Sequence, residues 1–263
     1  MNDHWRKQTH DKPLFPDIIW NKPEQKSLAG KLLIIGGNLH SINAPNLAYN
    51  QALKAGVGDC KVVMPISTRK MFGKNPPLNI EFLATTPSGS FSLKAYEDIL
   101  QLTNWADGIL FAGDIGKNSE TSILVEELSK LNIPKTFVND CVEPFIHSPQ
   151  YILNDINSLL VLNFSQLQKI SQNIKSPSAF TSTLEIAQIV ERLHLFTKAI
   201  SAGLITEHNG IIYFALNGKV VTTNLDHTED CSLSVASEAS VWWLHNPSQM
   251  HEAVSTAISQ VKL

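Results

Sequence analysis

Cysteine is scarce in this chain, and patches of positive charge are missing altogether. Cys60, Cys141 and Cys231 are three in number, far apart and set among apolar neighbours, which disfavours a disulfide framework or a Cys-x-x-Cys metal site and reads as buried thiols in a reducing compartment. The net charge is -3 over 263 residues, with acids and bases interspersed, so the chain has no electrostatic footprint for nucleic acid. No apolar run is long enough to span a bilayer, and Met1 to Lys12 lacks an apolar core of signal-peptide length; a cytoplasmic protein with no membrane partner is expected. The nine histidines include no His-x-x-x-His or His-Glu-x-x-His spacing, so no metal site is expected among them. Three catalytic signatures are absent as well. No Gly-x-Ser-x-Gly nucleophile elbow occurs, no Gly-x-Gly-x-x-Gly follows the first strand, and Gly113 to Ser119 lacks the Gly-Lys-Ser/Thr ending of a P-loop.

What is present is alternation. With 43% hydrophobic and 17% charged residues, the chain can bury one large core. Residues 1–30 carry Pro13, Pro16 and Pro23 among polar residues and read as an extended arm, leaving 31–263 as a single domain. Lys31 to Ile35 is a continuous apolar run ending in Gly36-Gly37, followed by a helical pattern over Ala44 to Ala55 that stops at Gly56. Further strands are expected at Cys60–Met64, Ile80–Ala84, Gly108–Ala112, Thr136–Asn139 and Leu159–Leu162. Helices are expected at Leu93–Trp105, Ser119–Leu131, Ser165–Asn173 and Thr181–Leu193. The C-terminal third departs from this, with short strands Gly203–Thr206, Ile211–Leu216 and Lys219–Asn224 around the hairpin signal Asn217-Gly218. Helices at Glu229–Leu244 and Ser248–Val261 end the chain. The fold class is α/β: three layers, α/β/α, with a mostly parallel central sheet and an antiparallel C-terminal edge. Adjacent Trp242 and Trp243 cannot share a helix face, so one is expected in the core and the other against the last helix or an oligomer contact.

The stretch Gly113-Asp114-Ile115-Gly116-Lys117-Asn118-Ser119 links a strand to a helix. Its glycines permit a sharp turn, and the first-turn N–H groups with the helix dipole make an anion site there; helix capping by Asn118 or Ser119 is the competing explanation. Two more loops rich in small polar residues, Gly36-Gly37-Asn38 and Thr86-Pro87-Ser88-Gly89-Ser90, follow strands, where open α/β sheets bind ligands. The three are expected to converge on one crevice. A fourth candidate is Asp226 to Asp230, where Asp230 at a helix start would stay ionised and serve as a base; capping by Thr228 again competes.

Taken in order, these pieces resemble the ribokinase-like superfamily and, within it, the ADP/ATP-dependent NAD(P)H-hydrate dehydratases, over nearly the whole chain from Lys26. Lys26 to Lys31 with the strand ending in Gly36-Gly37 is similar to the family's Lys-Gly-x-x-Gly-Arg and Gly-Gly. Asn43-Ala44-Pro45 and Ala52 to Gly58 resemble Gly-Ala-Pro and Ala-Leu-Arg-Ala-Gly-Ala-Gly, and Gly113 to Gly116 stands for Gly-Pro-Gly-Leu-Gly. Thr197-Lys198-Ala199 resembles Leu-Lys-Gly, His227 to Asp230 stands for Gly-Thr-Gly-Asp, and Asn246-Pro247 for Asp-Pro. The resemblance implies Asp230 as the base, Lys198, Thr228 and Glu229 on the nucleotide, and Ala44 and Gly116 on the hydrated nicotinamide substrate. Gly37, Asn38, Ser88, Gly89, Gly113 and Asn118 complete the substrate side. It also implies ADP or ATP with Mg2+ as companion ion, and NAD(P)H hydrate as the molecule that is phosphorylated and then loses phosphate.

The chain departs from the family at its centre. His227 and Glu229 replace two anion-hole glycines, Leu162-Asn163-Phe164 replaces Thr-Pro-His, and Asp-Ala-Asp is reduced to Asn139-Asp140-Cys141. A carboxylate near transferring phosphates opposes the charge stabilisation they need. Two readings therefore stand: an active dehydratase or small-molecule kinase, and a catalytically degenerate nucleotide-binding or scaffolding protein of the same fold. Homo-oligomerisation stays open in both.

Overall fold

The computed structural model describes residues 3–74, 77, 79–174, 179–224 and 231–261. In chain order its strands and α-helices are β1 (Trp5–Gln8), α1 (Asp17–Trp20), β2 (Lys31–Gly36), α2 (Asn43–Ala55), β3 (Asp59–Pro65), β4 (Ile80–Leu83), α3 (Tyr96–Thr103), β5 (Gly108–Ala112), α4 (Ser119–Ser129) and β6 (Lys135–Val138). They continue as α5 (Gln150–Leu153), β7 (Ser158–Leu162), α6 (Phe164–Asn173), α7 (Ile186–Lys198), β8 (Gly203–His208), β9 (Ile211–Leu216), β10 (Lys219–Asn224), α8 (Ser232–His245) and α9 (Met250–Gln260). All the strands join one sheet in the order β1-β10-β9-β8-β7-β6-β5-β2-β3-β4. Pairing is parallel from β8 through β7, β6, β5, β2 and β3 to β4. It is antiparallel only in the β8-β9-β10 meander.

Two faces bury two cores. Because strand side chains alternate, Leu33, Ile35, Phe111 and Phe137 face α4, α6 and α7. Leu32, Ile34, Leu110 and Phe214 face α2, α8 and α9 on the other side. Phe111 and Phe137 stack with centroids 4.5 Å apart. Each such side chain, fully withdrawn from water, contributes on the order of 1.5–3 kcal/mol. Helix α8 lies between the sheet, α2 and α9 and is buried along Val235 to Trp243, so both tryptophans are inside. Trp243 packs beside Leu32 and Gly108. Trp242 Nε1 donates to Glu238 Oε2 at 3.1 Å, and Gln51 Nε2 of α2 donates to Oε1 of the same carboxylate at 3.0 Å. Lying 4% exposed, Trp242 is an interior contact. Among the described residues no helix is long and apolar enough to cross a membrane.

Several expected boundaries need correction. The N-terminal segment supplies an edge strand: polar β1 pairs in parallel with β10, helped by Trp5 Nε1 donating to Thr222 Oγ1 at 3.0 Å and Gln8 Nε2 donating to Thr223 Oγ1 at 2.9 Å. The helix expected at Thr181–Leu193 runs from Ile186 to Lys198 because Glu185 and Gln188 form its capping box. The one expected at Leu93–Trp105 begins as a 3-10 turn, Leu93–Ala95, capped by Ser92, before α3. Residues 229 and 230, expected in the penultimate helix, lie outside the described residues.

Gly36 ends β2 where it faces Ala112 of β5. A Cβ there would stand 2.0 Å from the Ala112 carbonyl oxygen and 3.3 Å from Pro45 Cγ. Gly36→Ala should therefore lower unfolding free energy by about 2 kcal/mol, as overpacking against backbone does, read as a lower urea midpoint with an unchanged slope. A second outcome concerns His251 of α9, whose ring lies 5.7 Å from that of Phe15 and 5.6 Å from that of Phe214. Neither of its ring nitrogens has a hydrogen-bond partner. Burial above all, with Lys219 and Arg6 adding and Glu252 opposing, pushes its pKa from 6.5 down to about 4. The unfolded chain binds this proton more readily, so stability should fall as pH drops from about 6.5 towards 4. His251→Phe should flatten that part of the pH profile of the melting temperature.

Candidate functional site

Parallel pairing puts the C-terminal ends of β5, β6, β7 and β8 on one edge, and a cavity of about 640 Å³ opens there. Its apolar floor is Val161, Ile205, Ile212 and Val235; its walls carry Ser41, Ala44, Gly113, Asp114, Asn139, Asp140, Asn163, Phe164, Gln166, Glu207, His208, Asn209, Cys231 and Ser232.

Hydrogen bonds tie these walls together. Asn163 and Gln166 form the capping box of α6, Asn163 Oδ1 accepting from Gln166 N at 2.9 Å and Gln166 Oε1 accepting from Asn163 N at 3.1 Å. Buried Gln166 also donates from Nε2 to the Asn139 carbonyl at 3.0 Å. Asn139 adopts φ 57°, a left-handed conformation that asparagine tolerates better than most residues. Its Oδ1 accepts from Ser232 Oγ at 3.1 Å, joining the end of β6 to the start of α8. The Cys141 thiol donates to the Gly113 carbonyl at 3.3 Å. Complete burial, followed by Asp140 and Asp114, raises its pKa well above the usual range, so it stays protonated. Phe164 and His208 stack at 4.0 Å between centroids.

The electrostatics are one-sided. Asp114, Asp140 and Glu207 line the cavity, and among the described residues no Lys or Arg does. Burial, then repulsion from Asp114 and Glu143, raises the pKa of Asp140, with Lys117 opposing.

Of the residues expected from sequence, Ala44 and Gly113 reach this cavity. The three loops do converge, but they close on one another. Asn38 Nδ2 donates to the Asp114 carbonyl at 3.1 Å, Leu39 N to the Gly89 carbonyl at 3.1 Å and Asn118 Nδ2 to Ser88 Oγ at 3.2 Å. Gly116 packs so tightly that a Cβ would lie 2.0 Å from Ser90 Oγ. Gly37, Asn38, Ser88, Gly89, Gly116 and Asn118 thus form a locked cluster beside the cavity. Donors of the expected anion site are engaged too: Gly116 N donates to Asp114 Oδ1 at 2.7 Å, and Glu120 N to Asn118 Oδ1 at 2.9 Å.

Lys198 lies away from the cavity. It ends α7 against the β9–β10 turn, where a Gly218 Cβ would lie 2.7 Å from Lys198 Cγ. That is the N-terminal edge of the parallel strands, opposite the cavity, because α7 leads into β8. Thr228, Glu229 and Asp230 lie outside the described residues; Cys231, the next residue in sequence, lines the cavity. Among the described residues no group of three or more His, Cys, Asp or Glu is placed to hold a metal. Asp140, Phe164, Glu207 and His208 also line the cavity; no Gly-rich turn marks them, and the signal they share in the sequence is their position at or just after the ends of parallel strands.

No protein-family model matches this chain. The bifunctional NAD(P)H-hydrate repair enzyme Nnr of Methanothermobacter thermautotrophicus is 24% identical over 176 residues, 66% of this chain but only 30% of that protein's length. Among solved structures, a ribokinase-like superfamily protein from Enterococcus faecalis superposes with a TM-score of 0.69 at 13% identity, covering 98% of this chain and 86% of that one. The ADP/ATP-dependent NAD(P)H-hydrate dehydratase from Bacillus subtilis, co-crystallised with ATP/Mg2+, gives 0.59 at 10% identity over 89% and 79%. The fold is ribokinase-like.

Ionised Asp140 faces two other acids, so its charge works against folding. The carboxyl keeps its proton more readily in the folded state, and stability therefore drops as pH rises through the raised pKa. Asp140→Asn should melt higher than the wild type at neutral pH, and the difference should vanish in acid below the carboxylate range. Equal melting points at neutral pH would show that the repulsion is screened.

Proposed function

We propose that this chain is an NAD(P)H-hydrate dehydratase-like or related small-molecule kinase-like protein that uses ADP or ATP, its ligand held in the cavity at the C-terminal ends of β5 to β8. The observation that carries the reading is the position of that cavity, between Ala44 and Gly113 on one side and Cys231 and Ser232 on the other. Open α/β sheets bind ligands at this edge, and the Bacillus subtilis dehydratase supports the choice of nucleotide. In this reading Asp230, preceding Cys231 in sequence, is the base that takes the proton of the substrate hydroxyl. Thr228 and Glu229 contact the nucleotide, and Ala44 and Gly113 shape the substrate side. The hydroxyl oxygen takes the terminal phosphoryl group of ADP or ATP, leaving AMP or ADP; phosphate then departs with the C–O electron pair as the adjacent ring carbon loses a proton, and NADH or NADPH is restored. Mg2+ would arrive with the nucleotide phosphates, and Asp114 and Asp140, which line the cavity, would be the carboxylates able to complete its oxygen shell and neutralise phosphate charge through it. A lyase or kinase activity in the cytoplasm, in a monomer or a homo-oligomer, belongs to the same proposal.

A second reading, a catalytically degenerate ligand-binding or scaffolding protein, is favoured by one observation. Among the described residues the lining holds Asp114, Asp140 and Glu207 without a Lys or Arg, and negative charge opposes phosphoryl transfer. The test is the return of dihydronicotinamide absorbance from hydrated NADH with ADP or ATP, alongside calorimetric binding. Turnover that falls about 10²–10⁴-fold in Asp230→Asn, with binding retained, is the outcome expected of an active enzyme. Binding without turnover in the wild type would leave the degenerate reading standing.

A further inference from the structure

A second cavity, of about 220 Å³, lies among β1, β10 and the start of α9. The sheet register explains what faces it. Arg6 of β1 pairs with Val221 of β10, and Val221 with Phe214 of β9, so these three side chains form a row on one face. Lys219 shares that face, being two residues before Val221 on the same strand. Phe214 is packed in the core that α9 covers, so two cations stand on rows that lead into an apolar layer. Edge strands often carry an inward-pointing charge that prevents pairing with another chain. That accounts for Arg6 alone, because β10 is paired on both sides.

Asp3 and, from α9, His251 and Glu252 also line the space. None of Asp3, Arg6, Lys219 and Glu252 forms an ion pair among the described residues, although two charges of each sign face one small volume. His4 lines it too but is engaged: its Nε2 lies 3.1 Å from Glu191 Oε2, and its ring stacks on that of His194 at 3.7 Å. His251 is different, for both its ring nitrogens are buried without a hydrogen-bond partner, an arrangement that costs free energy until each is satisfied. Burial, with Lys219 and Arg6 adding and Glu252 opposing, keeps the ring neutral around neutral pH. A neutral imidazole has one N–H donor and one lone-pair acceptor. Its complement is a molecule that brings an acceptor and a donor together.

We propose that this cavity binds a small zwitterion of the α-amino-acid class, its carboxylate facing Arg6, Lys219 and the His251 N–H, and its ammonium facing Glu252, Asp3 and the other His251 nitrogen. Phe15, Val220 and Val221 take a short apolar side chain. The volume is below the roughly 300–1,000 Å³ of sites for drug-sized ligands, which suits a molecule of a few heavy atoms and not a nucleotide. Charges of both signs in the lining disfavour a bare anion. Because the site lies at the start of β10, away from the strand ends that form the recess, its occupancy is independent of the function proposed above.

Calorimetry on the full chain at neutral pH compares L-alanine with propionate, which lacks the ammonium, and ethylamine, which lacks the carboxylate. L-Alanine is expected to bind saturably and to shift the His251 ring-nitrogen resonances, and each analogue to bind at least about tenfold more weakly. Arg6→Gln with Lys219→Gln should weaken L-alanine about tenfold or more. Glu252→Gln should weaken L-alanine and leave propionate unchanged, and it decides alone if the double variant does not fold. Propionate binding as tightly as L-alanine overturns the zwitterion site in favour of a plain anion site. No saturable binding of L-alanine overturns it outright, as does binding that leaves the His251 resonances unmoved or that the folded variants do not weaken.

Discussion

A strand that pairs in parallel with its neighbour cannot reach it by a tight turn, so the chain must cross back over a face of the sheet before the next strand begins. From β2 to β8 this chain obeys that constraint repeatedly, and each return spreads a helix or an irregular segment over one face. Both faces are thereby covered, which is why the strands can be apolar on both sides and nearly all buried. The same constraint aligns every strand end of that set on one edge. A recess forms where the segments leaving β5, β6, β7 and β8 diverge, and the antiparallel turn into β9 closes its side with Asn209 and Ile212.

Buried polar groups then decide the shape of the recess. Gln166 is 2% exposed and uses its amide to hold the end of β6 as well as the start of α6. Asn139 passes that restraint to the start of α8 through Ser232. These side chains are inside because each has partners there; leaving one unpaired would cost roughly 1–3 kcal/mol. The carboxylates that line the recess are of two kinds. Asp114 and Glu207 each accept a backbone N–H, from Gly116 and Gly210, whereas burial and then Asp114 and Glu143 oppose the charge of Asp140.

The Gly-rich turns show how a sequence signal for close backbone approach can be met by the protein's own loops. Their positive-φ glycines do permit close approach, and the loops do meet. What approaches is another loop: Ser90 against Gly116, Leu39 against Gly89, Ala44 against Gly113. Small polar residues that can cradle a phosphate can equally satisfy a neighbouring backbone, and only the distance between the loops chooses between the two.

By itself the sequence determined the layers and most of the sheet. Continuous apolar runs such as Lys31 to Ile35 and Gly108 to Ala112 demand cover on both faces, and Asn217-Gly218 imposes a hairpin, because these are local consequences of burial and backbone torsion. It left β1 hidden, since the residues from Trp5 to Gln8 are mostly polar and become a strand only when β10 offers its edge. Most of the candidate site was likewise beyond reach. Ala44 and Gly113 sit beside recognisable turns, but Asp140, Phe164, Glu207 and His208 are brought to one recess from segments up to 68 residues apart, counting from Asp140 to His208. Lys198, placed on the nucleotide by a short pattern, lies at the other end of the sheet because the direction of a helix relative to its strand is a property of topology. Which residues share an edge, and what total charge they bring to it, was decided only when the strands were laid side by side.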